Sequence, residues 1–445
     1  MELRITELDR DIGKLAIPAL GALIAEPLYV LADTAVVGQF LGTNALAGLS
    51  VASQTLLTLH AVMVFLAYGT TAAVSRLLGA NQPVRAAHHA VQGLWLAAGA
   101  GVLLSLLAWA FADPILALVG ETDDGNAQAV LGQARRYFLV SLWGLPPSLL
   151  VLSGVGYLRG LQDTTRPLVV AVVTAIFNLI LELILIVGLD FEIGASALAT
   201  VVAQWLGAAA YLYWIGRDVK SHGVALGPDI AECLRLLRVG GALFVRTTAL
   251  RGSFTVTVAA ASRISTEALA AHEIAFQFFI FTALILDAVA IAGQAIVGRF
   301  LGSNDRDGAL QAGQRVLGWG IIVGLVTLVI FGAGATSLPD LFTNDPAVAS
   351  LAVIAMIHLA LLQPINGAVF ALDGILIGAG DQKFLAWAMA GAALIFIPLA
   401  LAVPANDLGL GWLWATLWVL MAGRAVALFW RFRSERWLVL GEAVS

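Results

Sequence analysis

Several acidic and amide side chains in this sequence lie inside long apolar runs, where the presence of a polar group requires a physical explanation. Asp33 lies within YVLADTAVVGQFLG, and Asn178 and Glu182 lie four residues apart within FNLILELILIVG. An acid at the centre of a membrane helix costs about 2.5 to 3.5 kcal/mol on insertion scales, so it usually faces protein or water and carries function. A buried structural acid, hydrogen-bonded to a neighbouring helix, is the alternative explanation for Asp33.

A third polar pair, Thr200 and Gln204, follows in ALATVVAQ at the same spacing of four. Residues four apart share one face of a helix. A carboxylate pair with an amide and a hydroxyl can hold a proton, because burial and a second like charge favour the neutral acid. It can also give an all-oxygen ligand set to a small hard cation such as sodium. We therefore expect a proton- or cation-binding site of Asp33, Asn178, Glu182 and Thr200.

The second half of the chain has polar residues of its own, which form a possible second site: Arg246, Asp287, Gln363 and Asp373. Pairing of Arg246 with Asp287 or Asp373 is a sufficient structural explanation for the arginine. Asp373 is the strongest functional candidate of the group. With six histidines and one cysteine, none at metal spacing, we expect no metal site. An integral-membrane enzyme would need a nucleophile with a base, or an aspartate-rich metal motif, and we find no such constellation.

Membrane-spanning helices must position these residues. Of 445 residues, 60% are hydrophobic and 12% charged, with a mean hydropathy of +0.92, whereas a soluble domain is about one quarter charged. Apolar runs of about 20 residues recur and lack the alternation of a membrane barrel, so the fold class is an all-α polytopic membrane protein. Polar breaks predict twelve helices, at 12–40, 46–78, 85–113, 127–160, 165–189, 194–217, 232–263, 268–301, 307–338, 347–378, 382–403 and 409–432.

An internal repeat and the distribution of charge divide and orient these helices. Lysines and arginines fall mostly at the termini and in the even-numbered connections, which places both termini in the cytoplasm. Three segment pairs match in order: 42–54 with 265–277 and 76–81 with 299–304, both at an offset of 223, and 160–163 with 378–381 at an offset of 218. We predict two parallel six-helix repeats, an N-terminal lobe at 1–217 and a C-terminal lobe at 232–445, joined by a cytoplasmic linker at 218–231. The expected site is the cleft between the repeats.

The chemistry of the repeat is asymmetric. At the offset of 223, Asp33 corresponds to Val256, and ALIFIPLALAV, the counterpart of the Glu182 region, contains no acid. A structural role common to both halves predicts acids in both, so the asymmetry favours a functional role. Pro18 and Pro27 precede Asp33 in the same run, and each removes a backbone N–H and frees a carbonyl one turn earlier. We expect this helix to bend near its acid.

The pattern as a whole resembles one known family. Its parts are LADTAVVGQFLGTNALAGLSVA, the repeat, GYLRGLQDTTRP, NLILELILI with GASALATVVAQ, and LDGILIGAGD. Together they resemble the multidrug and toxic compound extrusion (MATE) family, and within it the DNA-damage-inducible F (DinF) branch. The resemblance implies a V-shaped, twelve-helix antiporter that exports organic cations or other amphipathic compounds while protons or sodium ions enter. It also implies that Asp33, Asn178, Glu182 and Thr200 bind the coupling cation and that Pro18 is the bending proline.

Two features depart from that family. Members of the DinF branch carry aspartate where this chain has Glu182, which is one methylene longer. The acidic pair of the NorM branch is half present, since the seventh helix has arginines while Asp373 is similar to the acid of the tenth.

The resemblance also sets expectations for cofactors, partners and location. We expect no cofactor beyond the coupling ion, and small lipophilic or cationic molecules as substrates. We expect contact with membrane lipid but not with nucleic acid, and a monomer in the inner (plasma) membrane of the cell. The alternative function is a lipid-linked saccharide flippase of the wider superfamily, for which we would expect a cationic cavity for pyrophosphate.

Overall fold

A computed structural model of the protein describes residues 6–119 and 127–441, and the secondary structure of these residues is helical. The α-helices are α1 Glu7–Phe40, α2 Thr43–Val62, α3 Phe65–Gly79, α4 Pro83–Ala110, α5 Ala112–Val119, α6 Ala127–Ser141, α7 Leu145–Gly160, α8 Thr165–Leu183, α9 Gly194–Ser221, α10 Ile230–Ile264, α11 Thr266–Gly302, α12 Arg306–Gly334, α13 Pro346–Gly378, α14 Gln382–Ala405 and α15 Leu410–Arg433. Short 3₁₀ turns lie at Leu142–Gly144 and Pro339–Leu341, and a π-helical turn lies at Ile184–Gly188.

Eleven helical stretches of the described chain are long and apolar enough to cross a membrane. They correspond to eleven of the twelve predicted spans. The remaining one, α10, has the length but carries five arginines and one glutamate, so it is less apolar than the others. The protein is thus an all-helical, multi-pass membrane protein, as its composition predicts.

Two predicted helices are interrupted, and this corrects the prediction of continuous spans at 46–78 and 127–160. The first consists of α2 and α3, and nothing in the local sequence explains the break between them. The second consists of α6, a 3₁₀ turn and α7. Pro146 and Pro147 in the first turn of α7 lack backbone N–H groups, so the carbonyls one turn earlier lose their helical partners.

The turns between helices confirm the internal repeat. Asn81 and Asn304 have left-handed φ angles of 56° and 59° at matching positions of the first and second halves. Asp190 and Asp407, at an offset of 217, both have a φ of 53°. Gln162 at 63° and Gly380 at 78° form a further matching pair. Non-glycine residues adopt this conformation rarely, so three coincidences in order mark two copies of one helical unit.

By packing, the chain divides into two compact units. The N-terminal unit comprises Gly21–Leu78 and Gln82–Arg238, and the C-terminal unit comprises Met1–Leu20, Gly79–Asn81 and Val239–Ser445. The first turns of α1 therefore belong to the C-terminal unit, whereas the rest of α1 belongs to the N-terminal unit. The predicted lobes followed the sequence repeat and do not divide α1.

The N-terminal unit packs α2 against α6, α4 against α7, and α9 against α7 and α8. One of its apolar clusters surrounds Phe138 and Tyr137 of α6. Residues 222–229 leave α9 as a non-helical segment and lie against α4, where the Gln92 side chain bonds the backbone at both Gly227 and Asp229. The central segment of the predicted linker is therefore fixed to this unit.

The C-terminal unit is built around α13, which packs against α11, α12 and α15. A Cβ atom on Gly374 of α13 would overlap the carbonyl oxygen of Ala290 in α11, so only glycine permits this close helix approach. Three helices of the unit begin at side-chain caps, where Ser265, Asp305 and Asp345 accept backbone N–H bonds from the first turns of α11, α12 and α13. Such caps satisfy donors that the helix itself leaves unpaired.

Candidate functional site

Inside the N-terminal unit, two of the predicted site residues meet directly. Asp33 of α1 and Glu182 of α8 are 4% and 0% exposed, respectively, and their carboxyl groups lie within hydrogen-bonding range of each other. Because the two residues are 149 positions apart in the sequence, only the fold brings them together. Two buried carboxylates in contact repel unless a proton or a cation lies between them.

Hydroxyl groups surround this acid pair. The Ser196 hydroxyl of α9 donates a hydrogen bond to Asp33 Oδ1 at 2.9 Å and also lies close to Glu182. Tyr137 of α6 reaches Asp33 as well. The predicted site residue Thr200 belongs to the same cluster, because its hydroxyl lies beside the phenol groups of Tyr29 and Tyr137.

The helices supply these groups in a regular way. α1 contributes Tyr29 and Asp33, α8 contributes Asn178 and Glu182, and α9 contributes Ser196 and Thr200. Each pair is spaced by four residues, so each helix directs two successive turns of one face toward the cluster. We call these six residues and Tyr137 the acid cluster.

The acid cluster lacks positive charge. Among the described residues, no lysine or arginine acts on the carboxyl group of Asp33 or Glu182. Neither carboxylate oxygen of Glu182 accepts a hydrogen bond within the described part of the chain. A buried carboxylate without a donor or counter-charge is costly. The structure therefore provides a place where a proton or a small cation would be stabilised.

Asn178 is buried one turn before Glu182, and its amide oxygen accepts no hydrogen bond from the described residues. This oxygen is available to a cation or to a bound proton donor. Directly after Glu182 the α-helix ends at Leu183 and the chain continues as a π-helical turn, Ile184–Gly188. Such turns are frequent at functional sites because they re-aim neighbouring side chains.

α1 is helical through both Pro18 and Pro27. Pro18 lies three residues before Gly21, where α1 passes from the C-terminal to the N-terminal unit. These prolines leave backbone carbonyls of α1 without their helical hydrogen bonds. The helix is therefore easier to bend between the part that packs with the C-terminal unit and the part that packs with the N-terminal unit. Bending at either proline stays a prediction.

The predicted polar site of the C-terminal unit has a different character. Asp373 Oδ2 accepts hydrogen bonds from Arg246 at 2.5 Å and from Arg424 of α15 at 2.6 Å. This confirms one of the two expected pairings of Arg246. Gln363 lies ten residues earlier on α13, about 15 Å along the helix axis, and its amide donates to the Leu359 carbonyl instead.

The fourth predicted member of that site, Asp287, is half-buried on α11. The structure thus joins Arg246 with Asp373, and it adds Arg424. Asp373 already has two cationic partners, so it needs no ion from outside.

Sequence reasoning missed Ser196, Tyr29, Tyr137 and Arg424. Ser196 and Tyr29 had a usable signal, since each lies one helical turn before a predicted site residue, Thr200 or Asp33. The other two had none, because nothing in the sequence alone distinguishes them from packed or interfacial residues.

Comparison with known proteins shows the family of this chain. A family model described as MatE matches residues 18–184 and 243–402, which is most of the chain. DNA damage-inducible protein F of Escherichia coli (strain K12) is 29% identical over 440 residues, covering 97% of this chain and 95% of that protein. The probable multidrug resistance protein NorM of Rhizobium meliloti (strain 1021) is 28% identical, covering 94% and 91%.

The fold also matches solved structures. A MOP superfamily transporter from Pyrococcus furiosus Vc1 (DSM3638) superimposes with a TM-score of 0.85 at 20% identity, covering 97% of this chain and 96% of that one. The match extends over both halves, as the repeat requires. This chain therefore belongs to the MatE family of membrane transporters, and it is not an enzyme.

Proposed function

We propose that this protein is a secondary antiporter that exports organic cations or other amphipathic compounds, with a proton as the coupling ion bound at the acid cluster. The observation that carries the proposal is the contact between the buried Asp33 and Glu182 carboxyl groups with no counter-charge beside them. One shared proton turns repulsion between these groups into a hydrogen bond. The names of the NorM and DinF relatives support a transporter of this family without identifying its substrate.

The other groups of the acid cluster suit proton binding. The Ser196 hydroxyl is held on Asp33, and Tyr137 lies beside the same acid, so the ionised form has hydrogen-bond donors on two sides. Ionisation and protonation are therefore both accommodated, as a coupling site requires. Sodium is the competing ion, because the carboxylates, the Asn178 amide and the hydroxyls are all oxygen ligands.

Coupling follows from the position of Asp33 on α1. Uptake of the proton lowers the negative charge of the acid cluster from two to one and weakens its attraction for a cationic substrate. We propose that α1 then bends at Pro18 or Pro27 and that substrate leaves. Tyr29, which is half-buried beside the acid cluster, supplies an aromatic ring there, and ring faces attract lipophilic cations.

The flippase alternative has one supporting observation. The Arg246 and Arg424 guanidinium groups on Asp373 give the C-terminal unit a buried basic group. Because Asp373 accepts both of them, they are engaged within the protein, and antiport at the acid cluster remains the preferred proposal.

Purified protein in liposomes tests the proposal. Ethidium movement is followed under an imposed pH gradient and, separately, under an imposed sodium gradient. We expect proton-driven transport by the wild type, background rates for Asp33→Asn and Glu182→Gln, and near wild-type rates for Glu192→Gln, an exposed acid paired with Arg136. Wild-type transport rates in Asp33→Asn would refute ion binding at the acid cluster. Transport driven only by the sodium gradient would show that the coupling ion is sodium and not a proton.

A further inference from the structure

A second polar cluster, far from the acid cluster, lies at the start of α1. Asp9 is 6% exposed although it is in the first turn of the helix, and its carboxylate accepts five hydrogen bonds. Two come from the backbone N–H and hydroxyl of Thr6, at 2.7 and 2.8 Å. The other three come from α12, all at 2.7 Å: two from Arg315 and one from the indole N–H of Trp319.

This arrangement fixes α1 on α12. Arg315 and Trp319 are one turn apart on α12 and converge on the same carboxylate. Arg315 binds both oxygens in the two-pronged geometry that gives strength and direction. Asp11, two residues further along α1, makes only a half-exposed pair with Arg299 at 3.9 Å. The chain thus offers a strong contact and a weak one side by side.

The contact lies on the part of α1 that packs with the C-terminal unit. Residues up to Leu20 pack with the C-terminal unit, whereas the segment from Gly21, which carries Asp33, packs with the N-terminal unit. Asp9 and Asp33 are separated by 24 residues, about 36 Å of helix. Pro18 and Pro27 lie between them, where the helix is easiest to bend.

We infer that Asp9, Arg315 and Trp319 form an anchor that holds the start of α1 on α12, so that a change in α1 at the ion-binding acid is transmitted to the C-terminal unit. The inference rests on the proposed antiport function. Asp9 is a positioning residue: it touches neither ion nor substrate. Without the anchor, ion binding at Asp33 moves a free helix end and does not drive transport.

Transport and binding, measured together, separate this role from a general loss of structure. In liposomes we expect Asp9→Asn and Arg315→Gln to lower proton-driven ethidium transport at least about tenfold, the effect of losing a charge-assisted hydrogen bond. Ethidium affinity in detergent, and its dependence on pH, stay at wild-type values because the acid cluster is untouched. Asp11→Asn is the matched control, one neutralised acid on the same turn of α1, and it transports like the wild type.

A charge reversal tests the pairing itself. The double variant Asp9→Arg with Arg315→Asp restores the ion pair in the opposite sense, and we expect it to recover roughly half of the lost rate, since coupled residues are not additive. Wild-type transport by Asp9→Asn overturns the anchor. So does a double variant that retains ethidium binding but transports no better than Asp9→Asn.

A distance measurement tests the anchor even if the transported substrate is not ethidium. Spin labels are placed at Lys14→Cys and Gln311→Cys, both exposed residues of the C-terminal unit, after the single cysteine is removed as Cys233→Ser. We expect one narrow distance at pH 5 and pH 8, and a broad distribution when Asp9→Asn is added. An equally narrow distribution in Asp9→Asn overturns the anchor, whereas absent ethidium transport by the wild type bears only on the proposed function.

Discussion

The two buried acid sites should respond in opposite ways when an aspartate is replaced by asparagine. At Asp373 the change leaves the Arg246 and Arg424 guanidinium groups without a counter-charge. Each charge-assisted bond contributes about 1.5 to 3 kcal/mol, and breaking a buried ion pair from one side costs about 3 to 5 kcal/mol. Arg246 keeps some access to solvent, with 12% of its side chain exposed. We therefore expect Asp373→Asn to lower the free energy of unfolding by about 3 kcal/mol.

Asp33→Asn should have the opposite sign at neutral pH. The asparagine oxygen can still accept the Ser196 hydrogen bond, and its amide can donate to Glu182, which has no donor in the described chain. One of two repelling charges disappears as well. We expect stability equal to or above that of the wild type at pH 7.5. The difference should be smaller at pH 5 than at pH 7.5, because a lower pH favours protonation of the wild-type acid pair and so weakens its repulsion.

Thermal unfolding in detergent, followed by tryptophan fluorescence at both pH values, measures this contrast. Glu192→Gln, an exposed acid, serves as the control for loss of one charge. A melting temperature of Asp33→Asn well below that of the wild type, with Asp373→Asn melting at the wild-type temperature, would contradict both expectations. That outcome would make Asp33 the structural acid and Asp373 the better candidate for ion binding.

Two further predictions address groups that sequence reasoning missed or left open. Ser196→Ala removes the hydroxyl between the two acids, and we expect a loss of about 1 kcal/mol of stability together with a shifted pH dependence of transport. The control Thr255→Ala removes an exposed hydroxyl that bonds a carbonyl of its own helix, and we expect it to change neither property. Gln92→Leu removes both side-chain bonds to the 222–229 segment, so limited proteolysis should cut this segment faster than in the wild type; equal cutting would show that the segment is held by other contacts.

Much of the acid cluster could be predicted because membrane insertion penalises polar groups so strongly. Asp33 and Glu182 are conspicuous in apolar runs, and the spacing of four residues placed Asn178 and Thr200 on defined helix faces. Ser196 was harder to select, since serine in a membrane helix often bonds only its own backbone. Tyr137 carries no comparable penalty for membrane insertion, so only the tertiary structure assigns it to the acid cluster.

The helices themselves were predictable in number and approximate position, but not in their interruptions. Hydropathy is continuous across the break between α2 and α3, so the pattern contains no signal for it. Pro146 and Pro147 did carry a signal for the break before α7. Arg424 was not recognised because it lies only seven residues before Arg431, in a helix end rich in basic residues, although it is buried on Asp373.

The two polar sites differ in how their charge is balanced, and under the proposed function only the acid cluster suits an exchangeable ion. Matching turns have nearly equal φ angles in both halves, so the two units start from the same helical framework. In the C-terminal unit the framework holds an acid together with two arginines, which are permanent counter-charges. In the N-terminal unit it holds two acids among hydroxyls, so only an exchangeable proton or cation can balance their charge. An ion-coupled transporter needs the second arrangement, because a counter-charge that is part of the chain cannot be exchanged across the membrane.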